Sequence, residues 1–343
     1  FDGFGFFSRI TNTDNGITIY RLPIFPRGKR FRVLGLSLNY LSFVVFGCLL
    51  GPFLLKGKKF DAIFVYANSP ITKTIPAILI GKIKKIPVIL WVQDLWPESF
   101  IASGFRLPSI LTRIIRRMVK KIYKNVDLIL GQSKSFCKKI ANEYDFDEKK
   151  IGYLPNTIDD IFLLKPTSSS ELPRELIYLE GCFNILFTGN LGEAQSVDTI
   201  LSAAKILNTR PNIRVNFILV GGGSKYEYLT SKIENERIDN VYMMGQHPIE
   251  KMPIFIEFCD ALLITLKKDQ TFRLTIPNKL QSYFASGKPI LGCIDGEGAD
   301  AIEEARAGIV CAAEDYNMLA NNAKKLSKMG KDELIKFGEN GRY

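Results

Sequence analysis

The sequence predicts an α/β protein of two domains, each a doubly wound parallel sheet covered by helices. Its 343 residues are too many for one ordinary hydrophobic core and suit two domains of roughly 150 to 170 residues. Short apolar runs alternate with amphipathic runs of about ten or more residues, the pattern of β-α units in a parallel sheet. A hydrophobic content of 46% with 24% charged residues argues against a disordered chain, a collagen-like repeat and a polytopic membrane protein.

Each strand is predicted from a short run rich in Val, Ile, Leu and Phe. In the first half these runs are 60–66, 87–93, 127–133 and 151–155. Amphipathic stretches between them predict helices over 70–83, 108–124 and 134–144. The alternation restarts in the second half, where the predicted strands are 183–189, 214–220, 241–245, 261–266 and 289–294.

A segment rich in serine and proline, Pro166 to Pro173, suits a domain edge. We therefore expect an N-terminal domain over 1–162 and a C-terminal domain over 163–330. Residues 331–343 are expected to begin a further helix. Because the chain starts at Phe1 without a methionine and stops just after a helix-like run, we expect pieces to be missing at both termini.

Positive charge is concentrated in the first half. Residues 1–150 hold 25 Lys and Arg against 10 Asp and Glu, whereas residues 151–343 hold 21 against 25. This asymmetry indicates an anionic partner, such as a phospholipid surface, a polyphosphate or a nucleic acid, with a merely solubilising surface as the alternative. Nucleic acid is disfavoured because no recognisable reading motif accompanies the charge.

The most apolar segment is 38–55, with arginines and lysines on both sides. Asn39 and the Gly51-Pro52 pair shorten its continuous apolar span, so we expect it not to cross a bilayer. Two alternatives stay open. The segment lies at an anionic lipid surface, or it forms a buried core helix.

The sequence restricts the available chemistry. It has a single histidine, His247, and six scattered cysteines without a C-x-x-C pair. This excludes a disulfide framework, a readable zinc site and most histidine-dependent nucleophilic mechanisms. We expect no metal and no cofactor, a reducing cytoplasmic location, and chemistry performed by carboxylates, backbone amides and cations.

Glycine turns and a lysine predict an anion site in the second domain. Residues 189–192 (GNLG) and 221–223 (GGG) each follow a predicted strand, where backbone amides can hold a phosphate. A plain strand-to-helix turn is the alternative. Lys279 stands in the first turn of a predicted helix, where a cation is unfavourable for the helix dipole, so it indicates an anionic partner. Arg273 is a candidate second clamp.

Residues 296–301 (GEGADA) match the dinucleotide-binding fingerprint G-x-G-x-x-A after a predicted strand. Too little chain follows to complete a nicotinamide-binding half. We therefore favour a loop in which Glu297 and Asp300 contact a sugar or a phosphate.

Both tryptophans lie in residues 91–99 (WVQDLWPES), directly after a predicted strand. Aromatic faces with carboxylates suit sugar binding, because stacking covers the ring while the acids accept hydroxyl hydrogens. Trp91 is expected in the core. Trp96, with Asp94 and Glu98 beside it, is expected to contact an acceptor.

Several stretches in family order resemble the family-four retaining glycosyltransferases, most closely the WbuB-like bacterial group of surface-polysaccharide synthesis. They cover nearly the whole chain and are 91–104 (WVQDLWPESFIASG), 153–156 (YLPN), 187–195 (FTGNLGEAQ), 218–223 (ILVGGG), 244–246 (MGQ) and 277–290.

The resemblance implies the GT-B fold, two Rossmann-like domains facing across a cleft. It further implies that the first β-α unit of the N-terminal domain is missing from this sequence, and that residues 331–343 begin the helix that returns to the first domain. It also implies transfer of a sugar, with retained anomeric configuration and no obligatory metal, from a nucleotide-sugar donor in the UDP class. The implied acceptor is a polyprenyl-diphosphate-linked saccharide at the inner face of the plasma membrane. Asp94 matches the family's catalytic position and is the residue implied to orient the acceptor or take up its proton, and Glu98 beside it is a second catalytic candidate. The implied donor-binding residues in the matching motifs are Gly189, Asn190, Gly192, Gln195, Gly245 and Gln246.

The sequence departs from this family pattern at charged positions. The family's paired glutamates fall at Leu274 and Ser282, and its arginine and lysine in the diphosphate turn are replaced by Asn190 and Gln195. Other residues must then hold the donor, and the candidates are Arg273, Lys279, Glu297 and Asp300. A catalytically silent nucleotide-sugar-binding subunit and a sugar epimerase of the same shape stay open as alternatives.

Overall fold

The computed structural model describes residues 10–12, 16–26, 32–102, 104, 107–144, 146–163, 176, 178–209 and 214–343. The expected domain edge at 166–173 and the arginines and lysine at 27–30 lie outside these residues. The chain divides into two compact units. The N-terminal unit comprises Phe1–Glu98 and Leu107–Leu154, and the C-terminal unit comprises Ser99–Arg106 and Pro155–Tyr343.

The N-terminal unit is built on a parallel sheet in the order β3-β4-β5-β6. Its strands are β3 (Ile63–Ala67), β4 (Val88–Val92), β5 (Leu128–Gly131) and β6 (Ile151–Tyr153), so each predicted strand of this half is confirmed. A short antiparallel pair, β1 (Ile10–Asn12) and β2 (Thr18–Tyr20), precedes them. Three-residue strands are too short to show alternation in a sequence, which is why this pair was not predicted.

Five helices are described in this part of the chain: α1 (Arg32–Leu54), α2 (Thr74–Lys84), α3 (Glu98–Ala102), α4 (Ser109–Tyr123) and α5 (Lys134–Tyr144). The expectation that Gly51-Pro52 would interrupt the apolar span is wrong, because α1 continues through Pro52 to its end. A proline in the last turn removes only one hydrogen bond. Among the described residues, Leu34–Leu54 alone has the length and hydropathy to span a membrane, and 22% of its most apolar stretch is buried.

The C-terminal unit holds a parallel sheet of six strands in the order β12-β11-β10-β7-β8-β9. The strands are β7 (Phe183–Thr188), β8 (Val215–Val220), β9 (Val241–Gly245), β10 (Ala261–Thr265), β11 (Ile290–Cys293) and β12 (Gly308–Cys311). Five of them match predicted strands. The edge strand β12 was not predicted, since its four residues give a weak signal.

Helices cover both faces of this sheet: α6 (Val197–Asn208), α7 (Tyr226–Glu236), α8 (Met252–Phe258), α9 (Gln270–Arg273), α10 (Asn278–Ser286), α11 (Glu297–Glu304), α12 (Tyr316–Leu326) and α13 (Lys331–Arg342). Alternate residues of β8 enter different cores, with Phe217 in one and Ile218 in the other. All six residues of β8 are therefore buried, as expected for a parallel sheet with two covered faces.

The strand order reverses between β7 and β10. From β7 the chain proceeds to β8 and β9 on one side, and from β10 to β11 and β12 on the other. Open parallel sheets bind ligands at such a switch point, beyond the carboxyl ends of the strands. The turns after β7 and β10 are thus where a ligand of this unit is expected.

The last helix, α13, packs on α10 of the same unit. Gly338 approaches so closely that a Cβ there would lie 1.9 Å from the carbonyl oxygen of Gly287. Arg342 then donates hydrogen bonds to the carbonyl oxygens of Ala285 and Ser286, at 3.0 and 2.8 Å. That this helix begins a return to the first domain stays a prediction.

Candidate functional site

Three glycine turns at the carboxyl ends of β7, β8 and β9 are joined by backbone hydrogen bonds. The amide of Gly189 donates to the carbonyl of Val220 at 2.8 Å, and the amide of Gly221 donates to that of Gly245 at 2.7 Å. A Cβ at Gly221 would lie 1.8 Å from the carbonyl oxygen of Gly189. Glycine is therefore required at Gly221, where the first two turns meet. The amide of Gly189 is used in the hydrogen bond between these turns.

Lys279, in the first turn of α10, reaches the turn after β7. Its Nζ donates to Oε1 of Gln195 at 3.3 Å and lies 3.6 Å from the centroid of the Phe187 ring. A Cβ at Gly189 would be 3.5 Å from the same nitrogen. Burial of the ammonium group among these neighbours lowers the pKa of Lys279 to about 7.

Gln195 ends a short 3₁₀ turn, Glu193–Gln195, between the glycine turn and α6. Its backbone carbonyl accepts a hydrogen bond from Oγ1 of Thr265, the last residue of β10, at 2.6 Å. Ser196 follows in the left-handed conformation, with φ of 44°. Helix α6 begins at the next residue, Val197. Gln195 therefore lies at the junction of β7 and β10, the switch point of the sheet.

Charged residues link the same turn to its neighbours. Glu193 accepts ion pairs from Lys225, in the loop after β8, and from Lys267, in the loop after β10, both at 2.9 Å. Hydrogen bonds from Lys267 and then Lys225 lower the pKa of the Glu193 carboxyl. A pocket of about 230 Å³ adjoins this cluster. Its lining includes Glu193, Ser196, Asp198, Lys225, Lys267 and Tyr316.

Asp198, in the first turn of α6, completes the charged cluster. Lys225 contacts its Oδ2 at 2.8 Å, while Lys232 and the hydroxyl of Tyr228 donate to its Oδ1 at 2.9 Å. Burial raises the pKa of this carboxyl, but the three hydrogen bonds outweigh burial and lower the pKa to about 2.

Asn190, Gly245 and Gln246 lie at the same edge of the sheet. Asn190 is exposed in the turn after β7, and Gly192 is packed so that a Cβ would lie 2.7 Å from Nδ2 of Asn190. Gly245 has a φ of +71°. The exposed Gln246 lies over Gly222, and a Cβ at Gly222 would be 2.4 Å from Nε2 of Gln246. The structure thus brings these predicted donor residues to one set of adjoining turns.

The remaining predicted donor residues form a neighbouring group. The carbonyl oxygen of Arg273, at the end of α9, would be 2.1 Å from a Cβ at Gly296. Glu297 begins α11, and Asp300 is exposed one turn later. A Cβ at Gly298 would contact Pro277, two residues before Lys279, at 3.0 Å. This second group therefore adjoins the start of α10.

Asp94, after β4 in the N-terminal unit, is held by one of its two carboxylate oxygens. Its Oδ2 accepts hydrogen bonds from the amide and the hydroxyl of Ser69, at 2.9 and 2.8 Å. Its Oδ1 makes no hydrogen bond to a described residue. Asp94 is half-buried, so an oriented carboxylate oxygen is left for a ligand.

The expectation that Trp96 presents an open face to an acceptor is not met. Its side chain is only 7% exposed, with Nε1 donating to Oγ of Ser69 at 3.0 Å and its ring edge-on to Tyr40. Because its ring is buried and its indole N–H has a partner within the protein, Trp96 packs as a core residue. Trp91, which was expected in the core, is half-buried, and its Nε1 donates to the carbonyl of Leu154 at 2.9 Å.

Glu98, the second predicted catalytic acid, is ion-paired. Arg116 of α4 donates to its Oε1 through Nη2 at 2.7 Å and through Nε at 3.1 Å. The Glu98 side chain is 13% exposed, whereas that of Arg116 is 57% exposed. This ion pair compensates the negative charge of Glu98 and attaches α4 to the turn after β4.

The C-terminal unit matches a known family of proteins. Residues 182–329 fit the sequence profile of the glycosyl transferases of group 1. The matched range contains the glycine turns, the charged cluster around Glu193, and Lys279.

Two curated relatives of the chain are bacterial proteins. The chain is 24% identical over 255 residues to a Pseudomonas aeruginosa protein named as glycosyltransferase WbjE, covering 72% of this chain and 61% of the relative. It is 21% identical over 215 residues to an Escherichia coli K12 protein named as colanic acid biosynthesis glycosyl transferase WcaI, covering 61% and 51%. The chain thus spans about half to three-fifths of the length of these relatives.

Solved structures confirm the predicted fold class. Anabaena HepE, in complex with UDP and glucose, has a TM-score of 0.66 at 15% identity, covering 85% of this chain and 75% of that chain. Sucrose-phosphate synthase from Thermosynechococcus elongatus has a TM-score of 0.73 at 15% identity, covering 97% and 79%. The chain has the GT-B fold of two Rossmann-like domains.

Sequence reasoning missed the charged residues that join the turns of this group 1 segment: Glu193, Lys225 and Lys267. Each follows the end of a strand by two to five residues, at the carboxyl edge of one sheet. Their shared position just after the ends of parallel strands was the available signal. Among the described residues, no group of three or more His, Cys, Asp or Glu is arranged to hold a metal ion.

Proposed function

We propose that the chain is a glycosyltransferase that moves a sugar from a nucleoside diphosphate sugar to a saccharide acceptor, with retained anomeric configuration. In this reaction the bond between the anomeric carbon and the diphosphate oxygen breaks, and an acceptor oxygen bonds to the same face of the sugar. The acceptor hydroxyl loses its proton, and the nucleoside diphosphate leaves as an anion. The C-terminal unit binds the donor.

The position of Lys279 carries this proposal. Its ammonium group lies beside the Gly189 turn, at the switch point of a sheet that matches group 1 glycosyl transferases, with a neutral amide oxygen as its hydrogen-bond acceptor. A diphosphate at this turn would supply the missing negative charge. A desolvated cation stabilises a leaving diphosphate more strongly than an exposed one, since little water screens it.

Two comparisons support the class of donor and acceptor. HepE from Anabaena was crystallised with UDP and with UDP-glucose, which favours a UDP-sugar for this chain. WcaI is named for colanic acid biosynthesis, which favours an acceptor in a bacterial polysaccharide pathway. We propose a polyprenyl-diphosphate-linked saccharide as that acceptor.

Asp94 is the residue proposed to act on the acceptor. With Oδ2 fixed by two hydrogen bonds from Ser69, Oδ1 has a defined direction in which to accept the proton of an acceptor hydroxyl. A fixed carboxylate loses less rotational freedom when the acceptor binds than a mobile one.

Binding and turnover of the donor test this function separately. Thermal unfolding of the chain is followed with UDP, GDP, ADP and CMP, and then with UDP-N-acetylglucosamine and UDP-glucose. At about 100 times its dissociation constant a ligand stabilises its protein by about 2.7 kcal/mol, so a bound UDP compound raises the midpoint by several degrees. Lys279→Met should reduce this shift, whereas Lys251→Met, which changes an exposed lysine in the same unit, should leave it unchanged. Equal shifts with all nucleotides would refute the UDP assignment.

A catalytically silent nucleotide-sugar-binding subunit is the second candidate. It is favoured by Leu274 and Ser282, which stand where the family has glutamates. The ion pair that Glu98 forms with Arg116 favours it as well. Both candidates bind UDP-sugars. The two candidates are distinguished by incubating the protein with a UDP-sugar and lipid-linked saccharides from the source bacterium and analysing the products by mass spectrometry. Only the enzyme forms a glycosylated lipid and free UDP.

A further inference from the structure

Helix α1 has one face that packs closely on the N-terminal unit. A Cβ at Gly47 would lie 2.6 Å from Cγ of Pro76, and one at Gly51 would lie 3.1 Å from Cδ1 of Ile80. Asn39, on the same face, donates through Nδ2 to the carbonyl of Phe25 at 2.7 Å. The glycines thus let α2 approach the backbone of α1, and Asn39 fixes the helix to the preceding segment.

The other face of α1 is apolar and exposed. Six aliphatic or aromatic side chains recur every three or four residues, with exposed fractions from 37% to 77%: Leu34, Leu38, Leu41, Val45, Leu49 and Phe53. This spacing places them in one stripe along roughly 28 Å of helix. Single exposed apolar residues are ordinary, but a continuous stripe of this length marks an interaction surface.

Helix α4 carries a second exposed face, which is both basic and apolar. Among its fifteen residues are five arginines and lysines and no acidic residue. Ile110 and Ile114 are 71% and 54% exposed, and Arg113, Arg117 and Lys121 are exposed alongside them.

Both helices are attached to the turn after β4. Tyr40 of α1 contacts the Trp96 ring edge-on at a centroid distance of 6.3 Å. Arg116 of α4 is ion-paired with Glu98 at 2.7 Å. The two exposed faces therefore belong to elements that contact the same short turn, beside Asp94.

We propose that the N-terminal unit binds an anionic phospholipid bilayer through a lipid-facing surface made of the α1 stripe and the exposed residues of α4. The apolar stripe would enter the boundary between headgroups and acyl chains, and the cations of α4 would contact headgroup phosphates. This inference does not depend on the proposed transfer reaction.

Two features favour an interfacial helix on anionic lipid over other occupants. A membrane-spanning α1 would have to leave α2 and break the buried Asn39 contact. A second copy of this chain would bring two basic α4 helices together, and like charges oppose that association. An anionic surface satisfies the apolar stripe and the positive charge at once.

Flotation of the full chain with lipid vesicles tests the surface. The vesicles contain phosphatidylcholine alone or phosphatidylcholine with phosphatidylglycerol. We expect binding to the anionic vesicles only, and a loss of binding as salt is added. The variant Arg113→Gln/Arg117→Gln/Lys121→Gln should bind about 100-fold more weakly, since each cation near anionic lipid contributes roughly fivefold. Its matched control, Lys325→Gln/Lys328→Gln/Lys331→Gln, removes three exposed lysines of the C-terminal unit and should bind like the wild type.

The apolar stripe is tested by Leu41→Glu, with Ile335→Glu as the control at an exposed position of α13. Leu41→Glu should abolish binding, and the control should not. If Leu41→Glu lowers the unfolding midpoint, the milder Leu41→Asn is used and should weaken binding at least about tenfold, a loss near 1.4 kcal/mol. Unchanged binding by both the charge variant and the stripe variant overturns the proposal. So does resistance of the bound protein to alkaline carbonate, which marks a spanning helix, or a dimer that Leu41→Glu dissociates while vesicle binding persists.

Discussion

Nζ of Lys279 lies 3.3 Å from Oε1 of Gln195, so the ammonium group is paired with a neutral amide and not with a carboxylate. Its pKa is lowered to about 7 by burial alone, with no carboxylate among the described residues to offset that effect. An anionic ligand beside this cation would favour its charged form. The relationship therefore couples ligand binding to protonation.

Binding of UDP should take up a proton above neutral pH. Free Lys279 is mostly neutral at pH 8, and a bound diphosphate would restore its charge. The second ionisation of a phosphate is nearly complete by about pH 7, so the ligand's charge hardly changes above it. We expect the affinity for UDP to fall about 50-fold from pH 7 to pH 9. Isothermal titration calorimetry at pH 8, in two buffers of different ionisation enthalpy, measures the proton taken up.

Lys279→Met provides the control for this prediction. It should weaken UDP binding at pH 7 and make the remaining affinity independent of pH between 7 and 9. Lys251→Met should keep the wild-type profile. An unchanged pH dependence in Lys279→Met would show that another group takes up the proton.

Asp94→Asn should lower kcat and leave donor binding intact. The asparagine keeps the shape and can still accept hydrogen bonds from Ser69, but it cannot take a proton from the acceptor. General base catalysis contributes typically about 10²–10⁴-fold, so we expect a loss of that size in initial rates. The dissociation constant of UDP, measured by calorimetry, should not change. A rate close to that of the wild type would remove Asp94 from the catalytic role.

Glu98→Gln is the contrasting change in the same turn. Because the Glu98 carboxylate is already ion-paired with Arg116, the glutamine variant should weaken the attachment of α4 to this turn and should change kcat little. Urea denaturation should show a loss of about 1 kcal/mol or less, the usual value of a partly exposed ion pair. A large fall in kcat without loss of stability would restore Glu98 as a catalytic residue.

Gly221→Ala should destabilise the C-terminal unit strongly. Gly221 has a φ of +146°, and a Cβ there would lie 1.8 Å from the carbonyl oxygen of Gly189. Gly181, with a φ of +81° and nothing within 4 Å of its Cβ position, is the matched control. Gly181→Ala should cost about 1–2 kcal/mol from backbone strain, whereas Gly221→Ala should cost more, since the clash adds to the strain. Chemical denaturation of both variants checks this order.

The strands and the glycine turns were accessible to sequence reasoning because they depend on local patterns. Runs such as 215–220 are apolar almost throughout, and the turn that begins at Gly189 follows its strand at once. Lys279 could be predicted for the same reason, since its place in the first turn of a helix is a local feature.

Contacts that depend on how distant segments pack were not accessible in this way. Whether Trp96 faced outward depended on Tyr40 and Ser69, which are far from it in the chain. The pairing of Glu193 is not local either, because Lys225 and Lys267 come from loops after two other strands. Their positions just after strand ends place these three residues at one edge of the sheet, but do not indicate which of them form ion pairs.

Asp198→Asn should remove an acid-sensitive part of the stability of the C-terminal unit. Burial raises the pKa of Asp198, but hydrogen bonds from Lys225, Lys232 and Tyr228 outweigh it and lower the pKa from 3.8 to about 2. A carboxyl whose pKa is lower in the folded state contributes stability that is present above about pH 4 and lost as the pH falls through about 2. The difference in unfolding free energy between wild type and Asp198→Asn should therefore be largest above about pH 4 and shrink towards about pH 2. Urea denaturation across this range measures it, with the exposed Asp239→Asn as the control. A difference that stays constant with pH would mean that Asp198 stabilises the unit through packing and not through its charge.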